Sequence, residues 1–153
     1  MSANGLEIFD KTLHVTNLWL KEIGEEIGPD RQVAWKVLST VLHKLRDRLP
    51  PDLSAHLGSQ LPLLIRGVYY DQYRPSVQPS ECKDADSFTE EVAEWLGDTR
   101  PVDPETAVLA VFRVLSKHLP KGQITKVQHA LPKSLRQRWE NLGVGERLPE
   151  SVD

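Results

Sequence analysis

Apolar residues recur every three or four positions along nearly the whole chain and almost nowhere alternate with a period of two. That spacing predicts helices and argues against strands. Leu6, Phe9, Leu13, Thr16, Leu20, Ile23 and Ile27 form one stripe, which predicts a first helix buried along its whole length. Gly24 or Gly28 ends it, and Pro29 prevents continuation. Asp30 is placed to cap a second helix, which sets Ala34, Val37, Leu38, Val41, Leu42, Leu45 and Leu49 on one broad face. Pro50-Pro51 stops that helix, and Asp52 is placed to cap a short one carrying Leu53, His56, Leu57 and Gln60. Pro62 then opens a further short helix through Leu64, Ile65 and Val68 toward Tyr73.

Residues 74–86 hold two prolines, two serines and almost no apolar side chains, and so read as a linker. Ser87 and Glu90 have the spacing of a capping box for a helix through Phe88, Val92, Trp95 and Leu96, which Gly97 ends. Asp103-Pro104 opens the helix of Ala107, Val108, Val111, Phe112, Leu115 and Leu119. After Pro120 and Gly122 a short helix carries Ile124, Val127 and Ala130, and Pro132 starts a last one with Leu135, Trp139 and Leu142. Residues 143–153, with Gly143, Gly145 and Pro149, read as a frayed, flexible tail.

The stretch from Val37 to Arg66 is written twice. A shift of 70 lays it on Ala107 to Arg136, so that Val41 meets Val111, Leu45 meets Leu115 and Leu49-Pro50 meets Leu119-Pro120. Leu61-Pro62 falls on Leu131-Pro132 with no insertion, and Leu38, Leu42, Leu57 and Ile65 meet Val108, Phe112, Val127 and Leu135. A duplicated helical unit is the simplest cause. The expected fold is all-α: two similar four-helix repeats, residues 6–73 and 87–142, packed into one domain with pseudo-twofold symmetry. A tandem array is the alternative, but either half alone leaves much apolar surface exposed.

These elements resemble the bacterial domain-of-unknown-function family 2267. The matching features are Phe9-x-x-x-Leu13, Leu38 to Leu49, Gln60-Leu61-Pro62 and the aromatic stretch Tyr69-Tyr70-Asp71-Gln72-Tyr73. In the second copy they are Phe88-x-x-x-Val92, Val108 to Leu119 and Ala130-Leu131-Pro132, with Ala130 where the first copy has Gln60. The resemblance covers roughly residues 6–142 and implies a small helical protein without an assigned reaction.

Composition narrows the classes further. Hydrophobic residues at 39% and charged residues at 27% suit a soluble globular chain, and 153 residues allow a substantial core. The lone Cys82 excludes an internal disulfide and fits a reducing compartment. No basic start and apolar run opens the chain, and no apolar stretch is long enough to span a membrane, so the expected place is the cytoplasm. His14, His43, His56, His118 and His129 show no metal-ligand spacing, and no phosphate-binding loop, nucleophile elbow or dinucleotide fingerprint is present. No catalytic, cofactor-binding or metal-ligating residue is therefore assigned, and no cofactor is expected. Cys82 has no neighbour that activates a thiol, and Glu22, Glu25 and Glu26 read as a solvated helix end.

Two features remain. Tyr69, Tyr70 and Tyr73 crowd three tyrosines into five residues, which one helical stripe cannot bury together. Packing between the halves competes there with a binding surface. The second feature is charge polarity. From Pro104 to Leu142 seven cations (Arg113, Lys117, Lys121, Lys126, Lys133, Arg136, Arg138) face Glu105 and Glu140, a net of +5, while the rest of the chain carries −8. This basic stretch either complements the acidic first half or receives an acidic protein. A helix-turn-helix on nucleic acid is the weaker reading, since the chain as a whole is acidic. The leading expectation is a non-enzymatic protein-interaction or regulatory module whose surface includes Tyr69, Tyr70, Tyr73, Lys126, Lys133, Arg136 and Arg138. An enzyme with a site between the repeats, using His56, Tyr69 or Tyr70, is the competing class. The sequence sets neither the partner nor the oligomeric state.

Overall fold

Three aspartates open three of the helices by accepting backbone N–H groups that the first turn leaves unpaired. Asp30 accepts from Gln32 and Val33 at 2.9 and 3.3 Å and starts α2, Arg31–Asp47. Asp84 accepts from Ser87 at 2.8 Å and starts α5, Ala85–Leu96. Asp103 accepts from Thr106 at 3.0 Å and starts α6, Pro104–His118. The cap of α5 is thus Asp84 rather than Ser87, because the aspartate reaches the N–H of Ser87 first and pulls that serine into the helix.

The shorter helices begin behind prolines. α3, Pro51–Gln60, follows Pro50, and α7, Lys121–His129, follows Pro120. Asp52 therefore lies inside the first turn of α3 instead of capping it, where its charge still complements the helix dipole. α4, Leu63–Tyr70, follows Pro62 and stops short of Tyr73; α8, Lys133–Ser151, follows Pro132. α1, Glu7–Ile27, ends at Gly28, whose φ of 114° is open only to glycine.

This is a computed structural model that describes residues 5–97 and 102–151, with side chains placed as far as residue 142. Among the described residues the chain is all-helical, with a single 3-10 turn at Pro75–Val77. The backbone of α8 continues to Ser151, across part of the stretch that the glycines and Pro149 suggested as a tail. The side chains of that stretch and its last two residues lie outside the described residues.

α2 and α6 pack on each other, and α1 and α5 each pack on both. α4 lies on α2 and α1 as α8 lies on α6 and α5, and α3 meets α7. One core runs through all of them. Leu45 and Leu115 are both fully buried, and so are Leu42 and Phe112, Leu57 and Val127. Tyr69 and Trp139, also 70 residues apart, both lie inside.

The first helix departs from expectation. Leu6, Phe9 and Leu13 are 52, 47 and 42% exposed, and the buried stretch of α1 is Thr16, Trp19, Leu20 and Ile23. The initial turns lie beside the start of α4, whose Leu64 N–H bonds Thr12 Oγ1 at 2.9 Å, and so short a helix does not cover them. The buried counterpart of Phe88-x-x-x-Val92 is consequently Trp19-x-x-x-Ile23, at a spacing of 69, and not Phe9-x-x-x-Leu13.

The segment after α4 is fastened to α2. Ser80 donates its backbone N–H to the Asp47 carbonyl at 2.7 Å, and the buried Arg48 reaches both Ser80 Oγ and Glu91. Cys82 is half-buried against the core.

Candidate functional site

The three tyrosines gather on the first half, where each has a different surrounding. Tyr69 is fully buried and donates its hydroxyl to the Ser54 carbonyl at 2.8 Å, with Ser54 Oγ 2.9 Å away. Burial pushes that hydroxyl well above its ordinary value, with the Ser54 bond opposing. Tyr69 therefore presents nothing to a partner and leaves the surface expected from the sequence. Tyr70 is 37% exposed, sits edge-on to Tyr69 with ring centres 5.1 Å apart, and donates to the Ala55 carbonyl at 3.3 Å. Its ring lies against Gly58, where a Cβ would come within 2.4 Å of the Tyr70 oxygen. Tyr73 turns back beside Tyr70 and lies 5.3 Å under the Arg46 guanidinium. The tyrosines thus cover their own half, over α2 and α3, rather than joining the two halves.

Arg46 is what turns the chain there, and the helical period gave no hint of it. Only 4% exposed, it donates to the carbonyls of Tyr69 and Asp71 at 2.7 and 2.6 Å, the groups that the end of α4 leaves free. His43 adds a bond to the Val68 carbonyl at 2.6 Å. Burial and the Arg46 charge hold His43 below its ordinary value, against the opposing pull of the Val68 bond.

The cations of the second half divide into two groups. Arg113 pairs with Glu26, while Lys117 and His118 both bond Glu22 at 2.6 Å, closing the seam between α6 and α1. Burial raises the Glu22 carboxyl, but its hydrogen bonds to Lys117 and His118 and their charges outweigh this and hold it below its ordinary value. His118 also stacks on Trp19 at 5.3 Å. Arg138 spans Asp86 and Glu105 at 2.9 and 3.0 Å, tying α8 to α5 and α6. Among the described residues, Lys121, Lys126, Lys133 and Arg136 form no ion pair. Lys121, Lys126 and Lys133 are exposed and Arg136 half-buried. His56 is exposed on α3, away from any carboxylate bond, and Cys82 Sγ donates to the Asp84 carbonyl at 3.6 Å.

A groove of about 610 Å3 opens between α6, α7 and α8. Its walls include Ser116, Thr125, Gln128, Trp139 and Glu140, with Arg113, Lys117 and Lys121 along one side. Trp139 lies buried beneath it, stacked on Phe112 with ring centres 4.0 Å apart, and donates its indole N–H to Ser116 Oγ at 2.7 Å. Those five wall positions stand 70 residues after Arg46, Ala55, Gly58, Tyr69 and Tyr70. Arg113, Lys117 and Lys121 of the basic stretch line the groove, whereas Tyr69, Tyr70, Tyr73, Lys126, Lys133, Arg136 and Arg138 do not.

Comparison with curated proteins finds no match. The family model described as an uncharacterized conserved protein (DUF2267) matches residues 16–138. Its match begins where α1 becomes buried and ends beside Trp139, so it takes in the core of both halves. The chain belongs to the DUF2267 family.

Proposed function

We propose that the chain is a duplicated helical unit, packed about a pseudo-twofold axis, that serves as a non-enzymatic protein-interaction module. Exchanging α1 with α5, α2 with α6, α3 with α7 and α4 with α8 maps nearly every packed pair of helices onto another packed pair, which supports the duplication. The ion pairs follow the same exchange: Glu22 meets His118 where Glu91 meets Arg48. Interaction is carried by one observation. Three of the seven cations of the basic stretch, Arg113, Lys117 and Arg138, are paired within the molecule, while Lys121, Lys126 and Lys133 are exposed on α7 and α8 with no ion pair among the described residues. Such an excess draws an acidic surface and steers its approach.

The test is affinity capture by the intact protein from nuclease-treated extract, compared with Lys126→Glu/Lys133→Glu. Both positions are exposed, so the double variant folds. A protein retained by the parent and lost from the variant supports the reading. Identical captured material from both proteins, or no protein captured by the parent, overturns it.

A further inference from the structure

The apolar stripe of α1 is covered along only part of its length. Leu6, Phe9, Leu13, Thr16, Leu20, Ile23 and Ile27 alternate steps of three and four residues, the spacing with which one helix seats another along a seam. α6 occupies the later part. Glu26 pairs with Arg113 and Glu22 with Lys117 and His118, so the two helices run antiparallel. α6 ends at His118, whose ring stacks on Trp19. α1 extends past that end for about three more turns, and Leu6, Phe9 and Leu13 lie open there.

The second half has no such surface. α5 begins at Ala85, which matches Thr16 at the spacing of 69, so nothing in it corresponds to the open turns of α1. Leu63 and Leu64, exposed at the start of α4 beside Thr12, stand where the second half has Lys133 and Ser134. The same place is polar in one half and apolar in the other, so the fold itself does not require leucine there. Ile8 and Leu63 line a groove of about 330 Å3 between α1 and α4. Leu6, Ile8, Phe9, Leu13, Leu63 and Leu64 are 39–56% exposed. Together they leave on the order of 500 Å2 of apolar surface open, near the top of the roughly 300–600 Å2 found for the largest patch on a monomer. Two such faces pressed together bury about 1,000 Å2 of apolar surface, and with a polar rim they reach the roughly 1,200–2,000 Å2 of a stable interface.

We infer that the chain forms a two-fold dimer through the open turns of α1, with Phe9 and Leu13 of one copy packed antiparallel against those of the other and Leu63 and Leu64 closing the edge. The covered part of the seam already takes an antiparallel helix, and a two-fold axis that crosses one helix sets its copy antiparallel to it. Charge agrees. The flank of these turns carries Glu7, Asp10, Lys11 and His14, with no large excess of either sign to select a strongly acidic or basic partner. Antiparallel order sets Glu7 of one copy beside Lys11 and His14 of the other. The lysines of α7 and α8 take no part, so this dimer and the capture of another protein stand or fall separately.

The test is sedimentation of the full chain from micromolar to submillimolar concentration. We expect a reversible equilibrium between a 17.3 kDa monomer and a species of twice that mass. Phe9→Glu/Leu13→Glu, at two exposed positions, should raise the dissociation constant about a hundredfold or more. Leu63→Lys/Leu64→Ser should raise it about tenfold, and it installs the residues that the fold already carries at 133 and 134. The parent's helical spectrum in both variants shows that they fold. In a mixed sample of labelled and unlabelled parent chains, NOEs between copies should join the Phe9 ring to the Leu13 methyls. A chain that stays monomeric throughout leaves this face to another occupant and overturns the inference. So does a dimer that both pairs of substitutions leave unchanged, or one whose contacts between copies lie elsewhere.

Discussion

Trp139 gives its indole N–H to Ser116 at 2.7 Å, at the place where, 70 residues earlier, Arg46 grips the carbonyl of Tyr69. One pair only satisfies a buried ring nitrogen; the other also ends a helix and folds the chain back. Arg46→Ala should cost about 2–3 kcal/mol, the range for charge-assisted bonds lost from a buried site. Ser116→Ala leaves one indole N–H unpaired and should cost about 1–2 kcal/mol. Urea unfolding measures both, and a larger loss at Ser116 would contradict the roles given to the two residues.

Leu45 and Leu115 are each fully buried between α2, α6 and their flanking helices. Leu45→Ala and Leu115→Ala should each cost about 2–5 kcal/mol, through lost burial and the cavity left behind. Equilibrium unfolding should show one transition in both variants, because one core runs through both halves. A biphasic curve in either variant would show separately folding halves.

Stability should fall with acid in two windows. The folded state holds His43 below its ordinary value near 6.5, so the unfolded chain takes up a proton that the folded chain resists. That contribution is present above about pH 6.5 and is lost as pH drops through it. Glu22 is likewise held below its ordinary value of 4.5, so its contribution is present above 4.5 and is lost as pH falls through its lower folded value. His43→Gln should flatten the upper window and Glu22→Gln the lower, in unfolding measured from pH 8 to pH 3. A Glu22→Gln protein with the parent's acid limb would mean that the bonds from Lys117 and His118 do not set that carboxyl.

The helical class and the aspartate-led starts at 30 and 103 follow from side-chain periodicity and local capping. At α5 the sequence put the cap three residues late, because Ser87 and Glu90 have the spacing of a capping box and Asp84 only competes with it in three dimensions. The stripe of α1 was legible as apolar but not as half-covered. Periodicity tells which face of a helix is greasy, while the length of the neighbours decides how far along it the cover extends. The groove was least legible, since the second half has serine at 116 and glutamate at 140, and α8 runs on past Trp139 where α4 stops at Tyr70. Only with the tyrosines placed over Gly58 do those differences become a shape.

The linker offers the last prediction. Residues 74–86 look unstructured by composition, yet Ser80 bonds α2, and Arg48 holds both Ser80 and Glu91. Lys83 stays exposed and is the first accessible basic site after that anchor. Limited trypsin digestion should therefore cut at Lys83, and sooner in Arg48→Ala, where the anchor is gone. The fragments should remain together, because α1 of the first half packs on α6 of the second and α5 packs on α2. Size-exclusion chromatography of the nicked protein should give one peak at the intact size. Residues 1–74 made alone should self-associate, since the faces of Trp19 and α2 that meet α6 would lie bare. Two separated, folded, monomeric fragments would mean that each half closes its own core, and the shared core would be wrong.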